Sequence, residues 1–417
     1  MLKRFTKAEK SWMLYDWANS AFSAIVAAII LPIFFKEMAQ MGGVDSVDAT
    51  AYWGYATSLG TFICAVLAPF LGTLGDFKGM KKKLFTAFML LGVISTLLLG
   101  FSNSWQALFA FYVLGTIGFS ASCVYYDSFL LDVTTEERMD QVSSLGYGLG
   151  YIGGSTIPLI ISLVLIQFGG AFGIETVPAT KFSFILTAVW WIVFTIPMLK
   201  NVQQKHAIEP EKNLVAHTLR NMGGTIKMIF ANKSVFWFLL AYFFYIDGVG
   251  TIIHMATVFG ASCGLDSMDL MVVLLVVQIV AFPFAIIYGK LAGKFGARNM
   301  ILFGIATYIV VCAVGFSLET MKDFLVLAVL VGTAQGGIQA LSRSFYGKII
   351  PQDEAGEYFG FFDVFGKFSA VIGPALFGIA AQLTGVTNYG VLAVMLMFIV
   401  GGGLFLFAVP KNIERIK

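Results

Sequence analysis

The residues of this chain that could do chemistry stand at helical spacing inside otherwise apolar segments. Asp16, Asn19, Ser20 and Ser23 fall at i, i+3, i+4 and i+7, one face of a helix. Thr116, Ser120, Cys123 and Asp127 repeat the pattern, and two further faces carry Asp247, Thr251 and His254, then Gln335, Gln339 and Arg343. A charged side chain at mid-bilayer costs about 2.5–3.5 kcal/mol on insertion scales. Four such stripes in membrane helices should therefore face one another around an aqueous cavity.

The chemistry that these residue types offer is recognition and charge movement rather than bond breaking. Asp16, Asn19, Asp127, Gln335, Gln339 and Arg343 supply both charge signs and amide hydrogen bonds, a set suited to a small solute. Asp16, Asp127 and Arg343 lie near helix ends, where charge is cheap, so a gate or packing role competes with substrate contact. Asp247 lies deep in its segment, before Gly248 and Gly250, and is the candidate for a proton-coupling carboxylate. His254, two turns on, is placed to relay that proton. For both, a structural hydrogen bond is the plainer alternative. Asp363 and Lys367, four apart with the acid first, suit an internal ion pair; otherwise Lys367 would meet a substrate carboxylate or Asp76.

The elements that must position these groups follow from composition. The apolar set AVILMFWYC makes up 58% of 417 residues and DEKR only 12%, against roughly 45–50% and 25% in soluble domains. Stretches such as Phe88 to Ala121 hold no charged residue. Apolar runs of about 20 residues predict spans near 12–38, 52–75, 84–102, 105–127, 143–168 and 182–199, then 235–260, 270–289, 300–318, 323–346, 358–383 and 388–409. The basic segment Met1 to Lys10 resembles the start of a signal peptide, but the apolar run after it is too long and holds Asp16 and Asn19, so it reads as a retained first helix. With the N-terminus inside, only Lys36, Lys181 and Lys322 of the 27 Lys and Arg residues fall outside. This orientation predicts cytoplasmic termini.

An internal repeat organises the chain. Gly72-Thr-Leu-Gly-Asp76-Phe-Lys78-Gly-Met-Lys81 recurs as Gly289-Lys-Leu-Ala-Gly293-Lys-Phe-Gly-Ala-Arg298, 217 positions on. Thr135 to Glu137 and Pro158 match Gln352 to Glu354 and Pro374 at nearly the same offset. The expected domains are two six-helix bundles, 1–200 and 235–417, joined by a cytoplasmic linker over 201–234.

The repeated loop resembles the signature of the major facilitator superfamily, roughly G-x-L-a-D-r-x-G-r-k, at Gly72, Leu74, Asp76, Gly79, Lys81 and Lys82. The resemblance implies an all-α fold of twelve membrane helices in two bundles, alternating access, and a cytoplasmic gate made by Asp76 with Lys78 or Lys81, to which Asp363 and Lys367 are added as candidates. The second copy has Gly293 where the aspartate would stand. Tyr15-Asp-Trp-Ala-Asn-Ser-Ala21, Gln335-Gly-Gly-Ile-Gln-Ala-Leu-Ser-Arg-Ser344 and Gly356-Glu-Tyr-Phe-Gly-Phe-Phe362 look like the branch that includes fungal vacuolar amino-acid effluxers and bacterial permeases. That branch implies movement of a small organic solute, amino acids first. Gly146, Gly148, Gly150, Gly153 and Gly154, and Gly373-Pro374, suit close contact between the halves.

Other classes are set aside. A net charge of +3 and basic residues confined to short loops do not fit nucleic acid. Gly148-Leu-Gly150-Tyr-Ile-Gly153 follows no strand, and Gly360 to Phe368 lacks the Ser or Thr of a P-loop. Cys64, Cys123, Cys263 and Cys312 form no metal or redox pattern. The reading is a transporter that is no enzyme, with no cofactor or metal, monomeric in a lipid bilayer such as a bacterial inner membrane, taking a small-molecule substrate with protons as coupling ion. Proton-driven sugar or peptide uptake and a non-transporting receptor or scaffold are the alternatives.

Overall fold

In hydrocarbon a backbone must satisfy its own N–H and C=O groups, and long apolar runs do so as helices. The computed structural model describes residues 4–209, 214–262, 267–317, 321–410 and 415. Twelve helices among them are long and apolar enough to cross a membrane. Helices 1 to 6 are Lys7–Met41, Ser46–Asp76, Lys81–Leu99, Trp105–Val133, Glu136–Phe172 and Thr176–Asn201. Helices 7 to 12 are Lys233–Ser262, Ser267–Phe295, Ala297–Gly315, Met321–Ile349, Ala355–Thr384 and Asn388–Phe407. They form two six-helix bundles. Cys263 lies outside the described residues.

Two departures from the expected boundaries have local causes. Helix 1 begins at Lys7 because Thr6 and Glu9 form a capping box, the Glu9 N–H donating to Thr6 Oγ1 at 3.1 Å and the Thr6 N–H to Glu9 Oε2 at 2.6 Å. Helix 5 starts at Glu136, ahead of the expected 143, its polar first turns lying beyond the apolar run. Helix 1 is π-helical over Phe22–Ile29 and helix 5 over Gly150–Thr156, and such wide turns are frequent at functional sites.

The repeat has a backbone basis. Gly79 and Gly296, equivalent in the two copies, both turn the chain at positive φ, 76° and 83°, a conformation that glycine adopts without steric cost. Lys81 and Arg298 are also equivalent but serve different purposes. Lys81 is buried against Asp132 at 2.9 Å. Arg298 donates to the carbonyls of Phe405, Leu406, Val409 and Pro410 at 2.7–3.0 Å, tying down the end of helix 12.

The expected glycine contacts are redistributed. Gly146, Gly150, Gly153 and Gly154 press helix 5 onto Asp16, Trp17 and Ser20 of helix 1, inside one half, and only Gly148 faces helix 8 of the other. Gly373 packs on Asp247 and Thr251, again within one half. The close crossing between the halves joins helices 2 and 11, where a side-chain carbon on Gly72 would overlap the Gly356 backbone and one on Gly360 the Ala68 backbone.

The segment expected to be a linker carries structure of its own. A strap over residues 202–209 pairs Ile208 with the turn after helix 2, through Ile208 N to Asp76 O at 2.9 Å and Lys78 N to Ile208 O at 3.0 Å. A linker helix, Leu214–Ala231, follows and packs against helices 2, 7 and 11.

Replacing Gly72 by Ala should lower the melting transition in detergent, since overpacking costs about 1–3 kcal/mol. Gly378→Ala, where an added carbon meets nothing within 4 Å, should leave it unchanged or raised.

Candidate functional site

Arg343 is 2% exposed, and a buried guanidinium must be paired. Its Nη1 lies 2.9 Å from Asp127 Oδ1 and its Nη2 3.2 Å from Asp16 Oδ2. Nε donates to Ser143 Oγ at 2.9 Å and Nη2 to the Ser143 carbonyl at 3.1 Å. The guanidinium lies 4.4 Å from the Tyr147 ring centre and 4.7 Å from that of Trp12, close enough for cation–π attraction. The Tyr126 hydroxyl donates to Asp16 Oδ2 at 2.7 Å. Helices 1, 4 and 5 of one half and helix 10 of the other thus meet in one cluster, two carboxylates against one guanidinium. Asp127 is the carboxylate more open to solvent, its side chain 22% exposed against 11% for Asp16.

Sequence reading found the three charges of this cluster but not its aromatic and hydroxyl partners. Ser143, Tyr147 and Tyr151 recur at i, i+4 and i+8 on helix 5, a stripe that the glycines of the same helix obscured. The Tyr151 hydroxyl donates to Gln339 Oε1 at 3.2 Å, so Gln339 borders the cluster. Asn19 donates to the Cys123 sulfur, at 3.5 Å. Gln335 Oε1 is buried without a hydrogen bond and borders a cavity of about 90 Å³ inside the second half, lined mostly by apolar side chains with Thr251 and Gln278.

Asp247 is fully buried. Its Oδ1 accepts from the Gly373 N–H at 2.9 Å and from Thr251 Oγ1 at 3.4 Å, while Oδ2 has no partner. Asp247 therefore joins helix 7 to helix 11. His254 is exposed, and among the described residues no hydrogen bond joins the two.

The face that carries the basic loops is closed. Asp76 accepts from the N–H groups of Gly356 and Glu357, at 2.7 and 2.8 Å, at the start of helix 11, where the helix dipole favours an anion. Ser143 Oγ donates to the Ala340 carbonyl at 2.7 Å, and Asp140 receives Ser344 Oγ and pairs with Lys348, at 2.7 and 2.6 Å. The direct hydrogen-bond partners of Asp76 are thus backbone amides, and the ammonium groups of Lys78 and Lys81 pair elsewhere. Lys78 is exposed and pairs with Glu209 of the strap, which raises its pKa. Lys81 instead pairs with Asp132, whose Oδ1 also accepts the N–H groups of Lys205 and His206 at 2.8 and 2.9 Å. Gln204 secures the strap, its amide donating to the carbonyls of Gly75, Asp76 and Phe77 and its oxygen accepting from Gly79. Asp363 pairs with Lys367 in its own helix. Its carboxyl reaches a small space beside Cys64 and Ser120 of the other half rather than the Asp76 lock.

Asp132→Ala should destabilise the protein by roughly 3–5 kcal/mol, since it strands a buried ammonium. Glu209→Ala should cost less than about 1 kcal/mol, as exposed pairs do. Denaturation in detergent separates the two.

Comparison with known proteins supports this architecture. The chain is 49% identical over 419 residues to YxiO of Bacillus subtilis (strain 168), an uncharacterised MFS-type transporter, covering 99% of this chain and 97% of that one. It is 25% identical over 298 residues to the autophagy-related protein 22 of Cryptococcus neoformans var. neoformans serotype D (strain JEC21), covering 66% of this chain and half the length of that relative. Among solved structures it resembles the human organic anion transporter MFSD10 at a TM-score of 0.71 and 11% identity, covering 96% of this chain and 99% of that one. It also resembles a bacterial homologue of the iron transporter ferroportin, at 0.67 and 13%, covering 96% and 98%. These two likenesses are of fold. The family described as "Vacuole effluxer Atg22 like" matches residues 6–415, and the chain belongs to that family, a branch of the major facilitator transporters.

Proposed function

We propose that this transporter moves a small zwitterionic organic solute, an amino acid or close relative, coupled to protons. The observation that carries the reading is the Arg343 cluster, with both charge signs desolvated at the junction of the halves. A solute carboxylate can replace Asp127 on the guanidinium while the solute ammonium takes up the released carboxylate. Each buried charge keeps a partner throughout, as a low-dielectric site demands. A neutral sugar offers no such exchange. Asn19, Gln335 and Gln339 would add amide contacts. Because Arg343 belongs to one half and both carboxylates to the other, the exchange loosens a tie between halves, so solute affinity differs between conformations. Such a difference is what shifts a conformational equilibrium.

In this proposal residues 1–200 and 235–417 rock against one another about the 201–234 linker, with the basic face and both termini in the cytoplasm of a bacterial cell and the protein in its inner membrane. Asp76 and the Lys81–Asp132 pair, with Lys78 on the strap and the Asp363–Lys367 pair further in, form the gate of that face. Asp247 carries the coupling proton on Oδ2, the oxygen without a hydrogen bond, and His254 passes it to solvent.

The test is counterflow in proteoliposomes preloaded with unlabelled amino acids, dipeptides, sugars or nucleosides in turn. Labelled amino acid should accumulate; binding without turnover would indicate a receptor. Arg343→Gln leaves Asp16 and Asp127 without their cation and should abolish counterflow, with folding checked by melting because breaking a buried pair is itself destabilising. Full activity in that variant would remove the cluster from the substrate path. Asp247→Asn should retain counterflow but lose the pH dependence of net uptake, and an unchanged pH profile would exclude Asp247 as the proton carrier.

A further inference from the structure

The two copies of the repeated loop differ at one functional position, Asp76 in the first and Gly293 in the second. In the first half the carboxylate closes the crossing of helices 2 and 11 by accepting two backbone N–H groups. At the equivalent crossing, helices 8 and 5 approach through Gly289, where an added carbon would overlap Ser144. One turn on, a carbon at Gly293 would lie 3.9 Å from the Gln141 amide nitrogen with nothing else near. A space is left where the first repeat has an acid.

That space adjoins a cleft of about 400 Å³ between helix 5 of one half and helix 8 of the other, lined by Arg4, Gln141, Gly289 and Lys290, with Phe5, Leu145 and Ile286 beside them. Among the described residues no acidic side chain lines it. Arg4 and Lys290 are exposed, and among the described residues neither side chain forms an ion pair. The nearby Arg138 is committed to Glu9 at 2.9 Å, and Asp140 to Lys348 and Ser344. The cleft therefore presents two free cations and an amide next to apolar side chains, on the face that carries the basic loops.

We propose that this cleft binds the headgroup of an anionic phospholipid, whose phosphate bridges the halves where the second repeat lacks its carboxylate. Basic pockets between membrane helices at the interface suit anionic headgroups. The apolar side chains of Phe5, Leu145 and Ile286 beside the cations favour a lipid over a free anion, because they can meet its glycerol and acyl carbons. The bound lipid completes the second lock and favours the conformation in which the basic face is closed.

The test follows melting of the full chain in neutral detergent as phosphatidylglycerol, phosphatidylcholine or glycerol 3-phosphate is added, since a ligand of the folded state raises apparent stability. Phosphatidylglycerol should raise the transition saturably, less so in high salt, and the other two should not. Arg4→Gln and Lys290→Gln should each raise the half-saturating lipid concentration about fivefold, and together about thirtyfold, at the usual strength of one interfacial cation. Lys290→Arg should restore the response. Gly293→Asp supplies the missing carboxylate within the chain and should abolish the lipid response while keeping the lipid-free melting temperature. An equal response to phosphatidylcholine, or an unchanged half-saturation in the double variant, would overturn the proposal. A response to glycerol 3-phosphate equal to that of the lipid would overturn it in favour of a free anion.

Discussion

A charge removed from water must find a partner in the protein, and much of this structure is arranged around that constraint. Arg343 is buried among Trp12, Tyr126 and Tyr147, and no one helix could satisfy it. It draws Asp16, Asp127 and Ser143 from three helices of the opposite half. An apolar residue of similar volume would pack there at lower desolvation cost, so the cluster is poor material for stability alone. In the proposed function its value lies in exchangeable partners, and the proposed solute accordingly carries both charges.

The same constraint accounts for the gate face. Asp76 is buried and satisfied by backbone amides rather than by a lysine. Lys81 is buried and satisfied by Asp132, which also holds two amides of the strap. The linker thereby becomes part of the gate, since Gln204 reads the carbonyls at the end of helix 2 while His206 lies 3.7 Å from Asp353 of the second half. A connection that looked like a tether thus touches both halves, and in the proposed rocking motion its contact with Asp353 would have to part.

Much of this was legible in the sequence, and the remainder was not for physical reasons. Span positions follow from uninterrupted apolar runs, which only helices can carry through lipid, and the repeat followed from identical turns at Gly79 and Gly296. The polar stripes gave Asp16, Asp127 and Arg343, because helical spacing marks a shared face. Spacing within a helix does not say which neighbour a face meets. The helix 5 glycines accordingly pack on helix 1, and the Asp76 partners lie 280 residues away in helix 11. Tyr126 and Tyr147 carry no charge and were indistinguishable by type from the many aromatic residues that face lipid or core. The strap is built from backbone hydrogen bonds, to which side-chain pattern is blind.

The equivalence of Lys81 and Arg298 has a further meaning. A duplicated unit begins with two interchangeable halves, yet here the same position holds an acid of helix 4 in one copy and the end of helix 12 in the other. The position equivalent to Asp132 is Ile349, so the second copy could not host the first copy's lysine without burying it alone. The two halves have thus specialised at this position. A second copy of the first half in the place of the second would lose the four carbonyl contacts by which Arg298 holds the end of helix 12.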